Sequence, residues 1–357
     1  MKLNLKIMIA GGCGFIGSSL AKFFLIKYPN SKIYIFDNLM RKGSHLNLKR
    51  LKNERLVFIR GDLSIKKNFI KLPVCDIFID AAADPSVLSG INSTISPLIN
   101  NNFISTLNAI EWCAKTNCKF IFLSTSRVYP IQKLDAISFS ESPTRFEWVE
   151  DQNIKGFSSN GIDESFDMNG FRSLYGSSKY SSELFIQEFG KYKNLKYIIN
   201  RCGMIAGPWQ MGKVDQGIIS YWVSAHIYKK QIKYIGYSGS GKQVRDVLHI
   251  DDLCALIDKQ IANWSKIDSQ IFNVGGGKAN TVSLLELTRL VNKATGIKIP
   301  ISKNEQNRDA DIRIFITNYN KIKNILGWEP VLNTKKIVID TSEWILKNKM
   351  DLEGIVS

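Results

Sequence analysis

An apolar run, Leu5–Ala10, meets a glycine-rich turn, Gly11-Gly12-Cys13-Gly14-Phe15-Ile16-Gly17, which opens into a stretch of helical periodicity, Ser18–Tyr28. Few folds accommodate that succession. Glycines in such a turn let the chain bend sharply, let backbone approach a bound group, and let a helix pack closely on a sheet. The helix start aims its unbonded N–H groups at the same spot, which suits a pyrophosphate. G-x-x-G-x-x-G alone is a weak signal; a strand before it and a helix after it make it strong. The backbone expected at the phosphates is that of Gly11, Gly14, Phe15, Ile16 and Gly17.

Further apolar runs of strand length follow at Ile33–Phe36, Leu56–Arg60, Asp76–Asp80 and Lys119–Ser124, with a helical stretch, Thr94–Lys115, between the last two. Strands alternating with helices predict an α/β, doubly wound parallel Rossmann sheet covered on both faces. Asp37 closes the second run about twenty residues beyond Gly17, where a carboxylate accepts hydrogen bonds from ribose hydroxyls and repels a 2′-phosphate. That favours NAD over NADP, against Arg41 and Lys42, either of which could reach a phosphate. Asn38 joins Asp37 as a candidate contact. Asp62 and Leu63, after the third run, are placed for the adenine end, although a plain strand-end turn explains Asp62 nearly as well. The small residues Ala81-Ala82-Ala83 would let a flat ligand lie on the backbone.

Residues Ile131–Arg172 interrupt the alternation with polar, aromatic and glycine-containing sequence too long for a simple connector, which reads as a functional loop over a site rather than a disordered insertion. Helix Tyr175–Tyr192 and strand Tyr197–Arg201 resume the pattern. From Ala206 the segments are shorter and mixed: Ile232–Tyr237, Ile250–Trp264, Ile271–Val274, Ser283–Thr295, Ile297–Ser302 and a last helix within Thr334–Lys349. The expected division is a nucleotide-binding domain at 1–205 and a smaller mixed α/β substrate-binding lobe at 206–357.

The net charge of +16 raises the question of nucleic acid. Its lysines are scattered, no cationic tract or nucleic-acid motif occurs, and a lysine-rich composition accounts for the charge. The six cysteines form no C-x-x-C pair or zinc spacing and read as small buried hydrophobes of a reducing compartment. Three separated histidines make a histidine metal site unexpected. Residues 1–10 are too short for a signal segment and no apolar run reaches membrane-spanning length, so a cytoplasmic protein without metal, membrane or nucleic-acid partner is expected.

Tyr175-Gly-Ser-Ser-Lys179 places a tyrosine and a lysine four residues apart on one helix face. With an ordinary pKa of about 10, tyrosine is a poor base at neutral pH. Lowering it by two to three units requires about 3–4 kcal/mol, within reach of an adjacent ammonium and a cationic nicotinamide ring. Thr125, at the end of the fifth run, can orient a substrate hydroxyl towards Tyr175. Hydride chemistry on an alcohol is the implied reaction. An amphipathic core tyrosine and a solvated lysine are the plainer alternative, made improbable by the upstream dinucleotide turn.

With these residues in place, the chain resembles the extended short-chain dehydrogenase/reductase superfamily, and within it the NAD-dependent nucleotide-sugar epimerases. The stretch Asp37-Asn-Leu-Met-Arg-Lys-Gly43 with Asn47-Leu48, then Asp215-Gln-Gly217, Gly239-Ser-Gly-Lys-Gln-Val-Arg-Asp-Val-Leu-His249 and Phe272-Asn-Val-Gly-Gly276 carry the resemblance over nearly the whole chain. It implies Thr125, Tyr175 and Lys179 as a catalytic triad, Asn102 in a supporting polar network, and Ser126, Gln216, Arg245 and Arg313 at the substrate. A guanidinium fork suits a diphosphate, while an ion pair with Asp246 is the alternative for Arg245. His249 fits better as a partner of Asp251 at a helix start than as a substrate contact. Reaction at C2 of a CDP-deoxyhexose for cell-surface polysaccharide, and a homodimer or higher homo-oligomer, are likewise implied by resemblance. The chain departs from the family at Pro130, where Val128-Tyr129 is usually followed by glycine, and at Ala206. Ser126 and Arg127 stand where related 4,6-dehydratases carry an acidic pair, which argues against elimination. A 4-epimerase of a UDP- or GDP-sugar and a catalytically silent NAD- or nucleic-acid-binding relative are the competing readings.

Overall fold

A computed structural model of the chain describes residues 4–91 and 93–356; the first three residues of the short N-terminal stretch lie outside it. The apolar runs become strands because a parallel sheet covered on both faces needs continuous rather than alternating hydrophobicity. Strands β1 (Lys6–Ala10), β2 (Lys32–Asp37), β3 (Leu56–Arg60), β4 (Ile77–Asp80) and β5 (Lys119–Thr125) join Tyr197–Cys202 and Gln270–Val274 in one seven-stranded sheet. The spatial order is Gln270–Val274, Tyr197–Cys202, β5, β4, β1, β2, β3. Pairs β1–β2, β1–β4, β2–β3 and β4–β5 are parallel, so the predicted doubly wound sheet is present. One face packs Met8, Phe36, Phe78, Phe120, Phe122, Ile110 and Ile199 into a single apolar cluster.

Helix α1 (Phe15–Lys27) begins immediately after Gly14, its N-cap, and its buried residues include Gly17, Leu20, Ala21 and Phe24. The expected helical stretch after β4 is interrupted: Ser96–Ile99 and Ser105–Thr116 are α-helical, and Asn100–Ile104 between them is a π-helical turn. Such turns often mark functional positions because the extra residue re-aims a side chain. Helix Leu174–Lys193 buries Tyr175, Lys179, Ser182, Glu183 and Ile186.

The chain forms two compact units, each assembled from three stretches. Unit 1 is Met1–Thr125, Leu174–Arg201 and Ile257–Phe272; unit 2 is Ser126–Ser173, Cys202–Leu256 and Asn273–Ser357. The chain passes from unit 1 to unit 2 at Arg201–Cys202, among other places. Unit 2 holds a mixed sheet in which Val244–His249 lies parallel to Met204–Ala206 and Ile314–Phe315 but antiparallel to Thr281–Ser283. The Ile131–Arg172 segment is ordered: it contains a helical turn, Ile131–Asp135, and two hairpins, Phe139–Glu141 with Phe146–Trp148 and Phe157–Ser158 with Gly161–Ile162. Arg145 ties it down by donating from Nε to Glu286 Oε1 at 2.8 Å. Glu286 also completes a capping box with Ser283 at the start of helix Leu284–Thr295.

The strand expected at Ile297–Ser302 instead occupies Ile301–Asn304, parallel to Ile232–Ile235. Gly296 ends the preceding helix in the left-handed region. All six cysteines are buried and unbridged, and the described residues contain no cluster suited to a metal ion. No described helix is long and apolar enough to cross a membrane.

Candidate active site

The glycine turn is built as its spacing requires. Gly11 sits at φ +66°, and a Cβ there would lie 2.8 Å from Ala81 O, so glycine alone lets β1 end against the start of the Ala81–Ala83 segment. Helix α1 has no side-chain N-cap and no acidic residue in its first turn, and its first internal bond to the turn is Ser18 N–H to Gly14 O. The N–H groups of Phe15, Ile16 and Gly17 therefore precede that bond, in the arrangement that receives phosphate. These residues fit an NAD pyrophosphate.

At the end of β2, Asp37 Oδ2 accepts the Cys13 N–H at 2.9 Å and Oδ1 accepts the Leu39 N–H at 2.7 Å. The carboxylate thus ties the glycine turn to the end of β2 and retains lone pairs able to accept further donors. Burial raises its pKa above the ordinary carboxylate range, and the two amides oppose that rise. Asn38 donates to Asp62 Oδ2 at 3.0 Å, which joins two of the expected cofactor residues. Asp62 also accepts from the Ser64 amide and hydroxyl, the turn-forming role weighed above. Burial pushes its carboxyl upward, yet the Ser64 and Asn38 donors outweigh that and lower it. Leu63 is buried and Ala81 partly so.

Removing the Asp37 carboxylate tests its role. Asp37→Ala should weaken NAD binding about 10- to 100-fold, the range expected for losing a hydrogen-bonded charge of about 1.5–3 kcal/mol, and narrow the preference over NADP. Protonation removes the same acceptor, so NAD affinity of the parent should fall on acidification, beginning above the ordinary carboxylate range. Calorimetric titration of both cofactors across pH reads both effects; an unchanged NAD/NADP ratio would refute the assignment.

Tyr175 and Lys179 occupy the first turns of helix Leu174–Lys193, 7% and 1% exposed. A buried lysine requires compensation for its lost hydration. The Lys179 ammonium lies 3.8 Å from the centre of the Phe122 ring of β5, a cation–π contact strengthened by the dry surroundings. Asp80, fully buried at the end of β4, provides negative charge: burial raises its carboxyl, and the Lys179 ammonium is the leading influence against that rise. Thr125, 8% exposed, is the last residue of β5.

Asn102 lies in the π-helical turn and is fully buried. Its Oδ1 accepts the Asp84 N–H at 2.7 Å, and its Nδ2 donates to Asp84 O at 3.0 Å and Ser178 Oγ at 3.3 Å. Ser178 in turn donates to the Tyr175 carbonyl at 2.8 Å. Asn102 therefore braces the helix at Ser178, between Tyr175 and Lys179.

The substrate candidates lie in unit 2. Ser126 begins a 3-10 turn and accepts the Tyr129 N–H at 3.2 Å through its carbonyl, while Gln216 is buried in a tight reciprocal pairing with Lys213. Arg245 does not pair with Asp246. Its Nη2 donates to Asp311 Oδ1 at 3.2 Å and Ile312 O at 2.6 Å, and Nη1 donates to Val244 O at 2.8 Å. Asp246, wholly buried, instead accepts the Gly277 and Thr317 amides. Consecutive strand residues point to opposite faces, which separates the two. The Arg313 guanidinium stacks 4.0 Å above Phe139 and 5.1 Å from Tyr237, with Asp135 3.9 Å away. His249 Nδ1 accepts the Asp251 N–H at 3.0 Å, as expected of a helix-start partner.

Sequence reasoning passed over Asp80, Glu183 and Arg201. Each carried a signal: Asp80 is the lone charge closing the apolar run Ile77–Asp80, Glu183 follows Lys179 by four residues, and Arg201 interrupts the buried strand Tyr197–Cys202.

Residues 7–275 match the model of the NAD dependent epimerase/dehydratase family. CDP-paratose 2-epimerase of Salmonella typhi is 32% identical, the alignment covering 95% of this chain and 99% of that protein. A putative UDP-glucose 4-epimerase of Methanocaldococcus jannaschii is 26% identical over 96% of this chain and 99% of its own. Among solved structures, the fold matches UDP-glucose 4-epimerase of Thermotoga maritima with a TM-score of 0.78 at 24% identity, covering 96% of this chain and 99% of that one. UDP-glucuronic acid 4-epimerase of Bacillus cereus, solved with UDP-glucuronic acid and NAD, also gives 0.78, at 22% identity and the same coverage of both chains.

Proposed function

Because the chain belongs to the NAD dependent epimerase/dehydratase family, we propose that it epimerises a nucleotide-activated sugar, inverting C2 of a CDP-deoxyhexose of the paratose type. The observation that carries the reaction type is the burial of Tyr175 and Lys179 on one helix stripe, braced by Asn102. NAD, when bound, supplies a hydride acceptor and returns the hydride.

The chain's own groups handle the proton and the geometry. Thr125 hydrogen-bonds the sugar hydroxyl, and the Tyr175 phenolate takes its proton as the carbon-bound hydride departs. Lys179 stabilises the negative charge on the phenolic oxygen before that transfer. The keto sugar then turns its other face, the carbon regains hydride there, and Tyr175 returns the proton to the oxygen. No atom is gained or lost over the cycle. Asp37 holds the adenosine ribose, while Arg245 and Arg313 serve the diphosphate, phosphate oxygens replacing Asp311 on Arg245. A homo-oligomer in the cytoplasm remains the expected assembly.

Support for C2 and for cytidine comes from the 32% identical relative. Inversion at C4 of a UDP-sugar is the second reading, favoured by the 26% identical putative 4-epimerase. Elimination is disfavoured because the turn after Thr125 carries Ser126 and Arg127, and Arg127 donates to the Ala310 carbonyl at 3.0 Å instead of supplying an acid. A silent relative is disfavoured by retention of both Tyr175 and Lys179.

The test is incubation with CDP-, UDP-, GDP- and dTDP-sugars in deuterium oxide, followed by NMR. Inversion at C2 of a CDP-deoxyhexose without deuterium at that carbon is expected. Inversion at C4 would transfer the assignment to the second reading, and deuterium at the inverted carbon would exclude a closed hydride cycle.

A further inference from the structure

Glu183 lies one helical turn beyond Lys179 and two beyond Tyr175, on the same stripe of helix Leu174–Lys193. It is fully buried, and Arg201 and Ser124 are each only 5% exposed. Arg201 grips its carboxylate, Nε donating at 3.2 Å to Oε1 and 3.0 Å to Oε2, and Nη2 donating at 2.8 Å to Oε2. Oε1 also accepts the Ser124 hydroxyl at 2.5 Å. Ser124 is bonded directly to Thr125, and the two close β5.

Stability alone is a poor explanation for this arrangement. Removing two charges from water offsets most of their mutual attraction, and well-packed apolar side chains commonly serve as well or better. An apolar pair, however, cannot fix the rotation of a neighbouring hydroxyl. A carboxylate held by a fork of donors presents its remaining lone pairs in set directions. The same helix face thereby holds β5 twice: Lys179 against the ring of Phe122, and Glu183 through the hydroxyl of Ser124.

We propose that Glu183, clamped by Arg201, is a positioning residue that acts through Ser124 to hold the end of β5, and hence the Thr125 hydroxyl, in register with Tyr175 and Lys179. The inference rests on the hydride-transfer reading of this site. It adds Glu183, Arg201 and Ser124 to the residues of the proposed site.

Ser124→Ala tests it without stranding a charge, since Glu183 keeps its fork on Arg201. Ser124→Cys, nearly isosteric and a poor donor, is carried in parallel against loss of folding in the first variant. Both are assayed as NAD-loaded protein beside the parent. The expected result is a kcat lower by about 10- to 100-fold, the scale on which a displacement of about 1 Å acts, with KM for the nucleotide sugar within about threefold. NAD content should match the parent. Amide hydrogen exchange, which needs no substrate, should accelerate over residues 119–128 and stay unchanged over β1. A kcat per NAD-loaded enzyme equal to the parent's overturns the positioning role, even if the melting temperature falls, because a purely structural clamp would behave that way. Unchanged exchange at 119–128 overturns it as well. Failure of the parent itself on every nucleotide sugar would count against the functional reading, with the exchange arm still deciding whether Ser124 fixes the strand end.

Discussion

Tyr175→Phe should lower kcat by about 1,000-fold while leaving the fold and the NAD content intact. The substitution removes one oxygen and keeps the ring, so the packing of a side chain that is 7% exposed hardly changes. What disappears is the group that, in the proposed cycle, exchanges a proton with the sugar oxygen in both halves. General acid–base catalysis by one positioned side chain contributes about 10²- to 10⁴-fold, and 10³ corresponds to about 4 kcal/mol of barrier. KM should move little, because the loss falls on the transition state rather than on substrate binding. Steady-state kinetics on the substrate found by NMR, with absorbance checking bound NAD, reads the outcome. A variant within tenfold of the parent rate would show that Tyr175 is not the base.

The second large effect is expected at Gly17. A Cβ placed there would sit 2.2 Å from Gly11 O, 2.8 Å from Gly11 C and 2.9 Å from Gly12 Cα. All three are backbone atoms of the turn proposed to receive the pyrophosphate, so no flexible side chain can yield in their place. Overpacking of this kind costs about 1–3 kcal/mol. More important for function, relief must come from moving the turn away from α1, which breaks the alignment of Gly11, Gly14 and the helix N–H groups on the phosphates. Gly17→Ala should therefore purify largely free of NAD, melt at a lower temperature and show under about 1% of parent activity, in line with losing several phosphate contacts of about 1.5–3 kcal/mol each. Full NAD occupancy in this variant would refute the packing argument.

How much was legible beforehand follows from what each residue depends on. The sheet and the dinucleotide turn depend on local order, an apolar run, glycines and then a helix, and they occur within a few residues of the expected places. Tyr175 and Lys179 are read from an interval of four on one helix. Contacts between distant segments left no such trace. Glu183 meets Arg201 and Ser124 only once helix and sheet are assembled. For Arg245 the nearest carboxylate in sequence, Asp246, is the wrong partner, because strand geometry turns it to the other face and Asp311 arrives from another segment. The π-helical turn that carries Asn102 has no residue-type signature distinguishing it from ordinary helix.

The interleaving of the two units limits how such an enzyme can be diversified. A chimera that took residues 206–357 from a relative would import the helix and strand segment Ile257–Phe272 of unit 1 along with the intended part of unit 2. It would also leave behind Ser126–Ser173, with its two hairpins and Arg145 anchor. Under the proposed assignment of the substrate residues to unit 2, a new sugar preference is thus hard to acquire by a single recombination of gene segments, and point substitution in that unit is the more accessible route. By the same connectivity neither unit can be expressed as one continuous fragment, so efforts to dissect cofactor binding from substrate choice should use variants of the full chain.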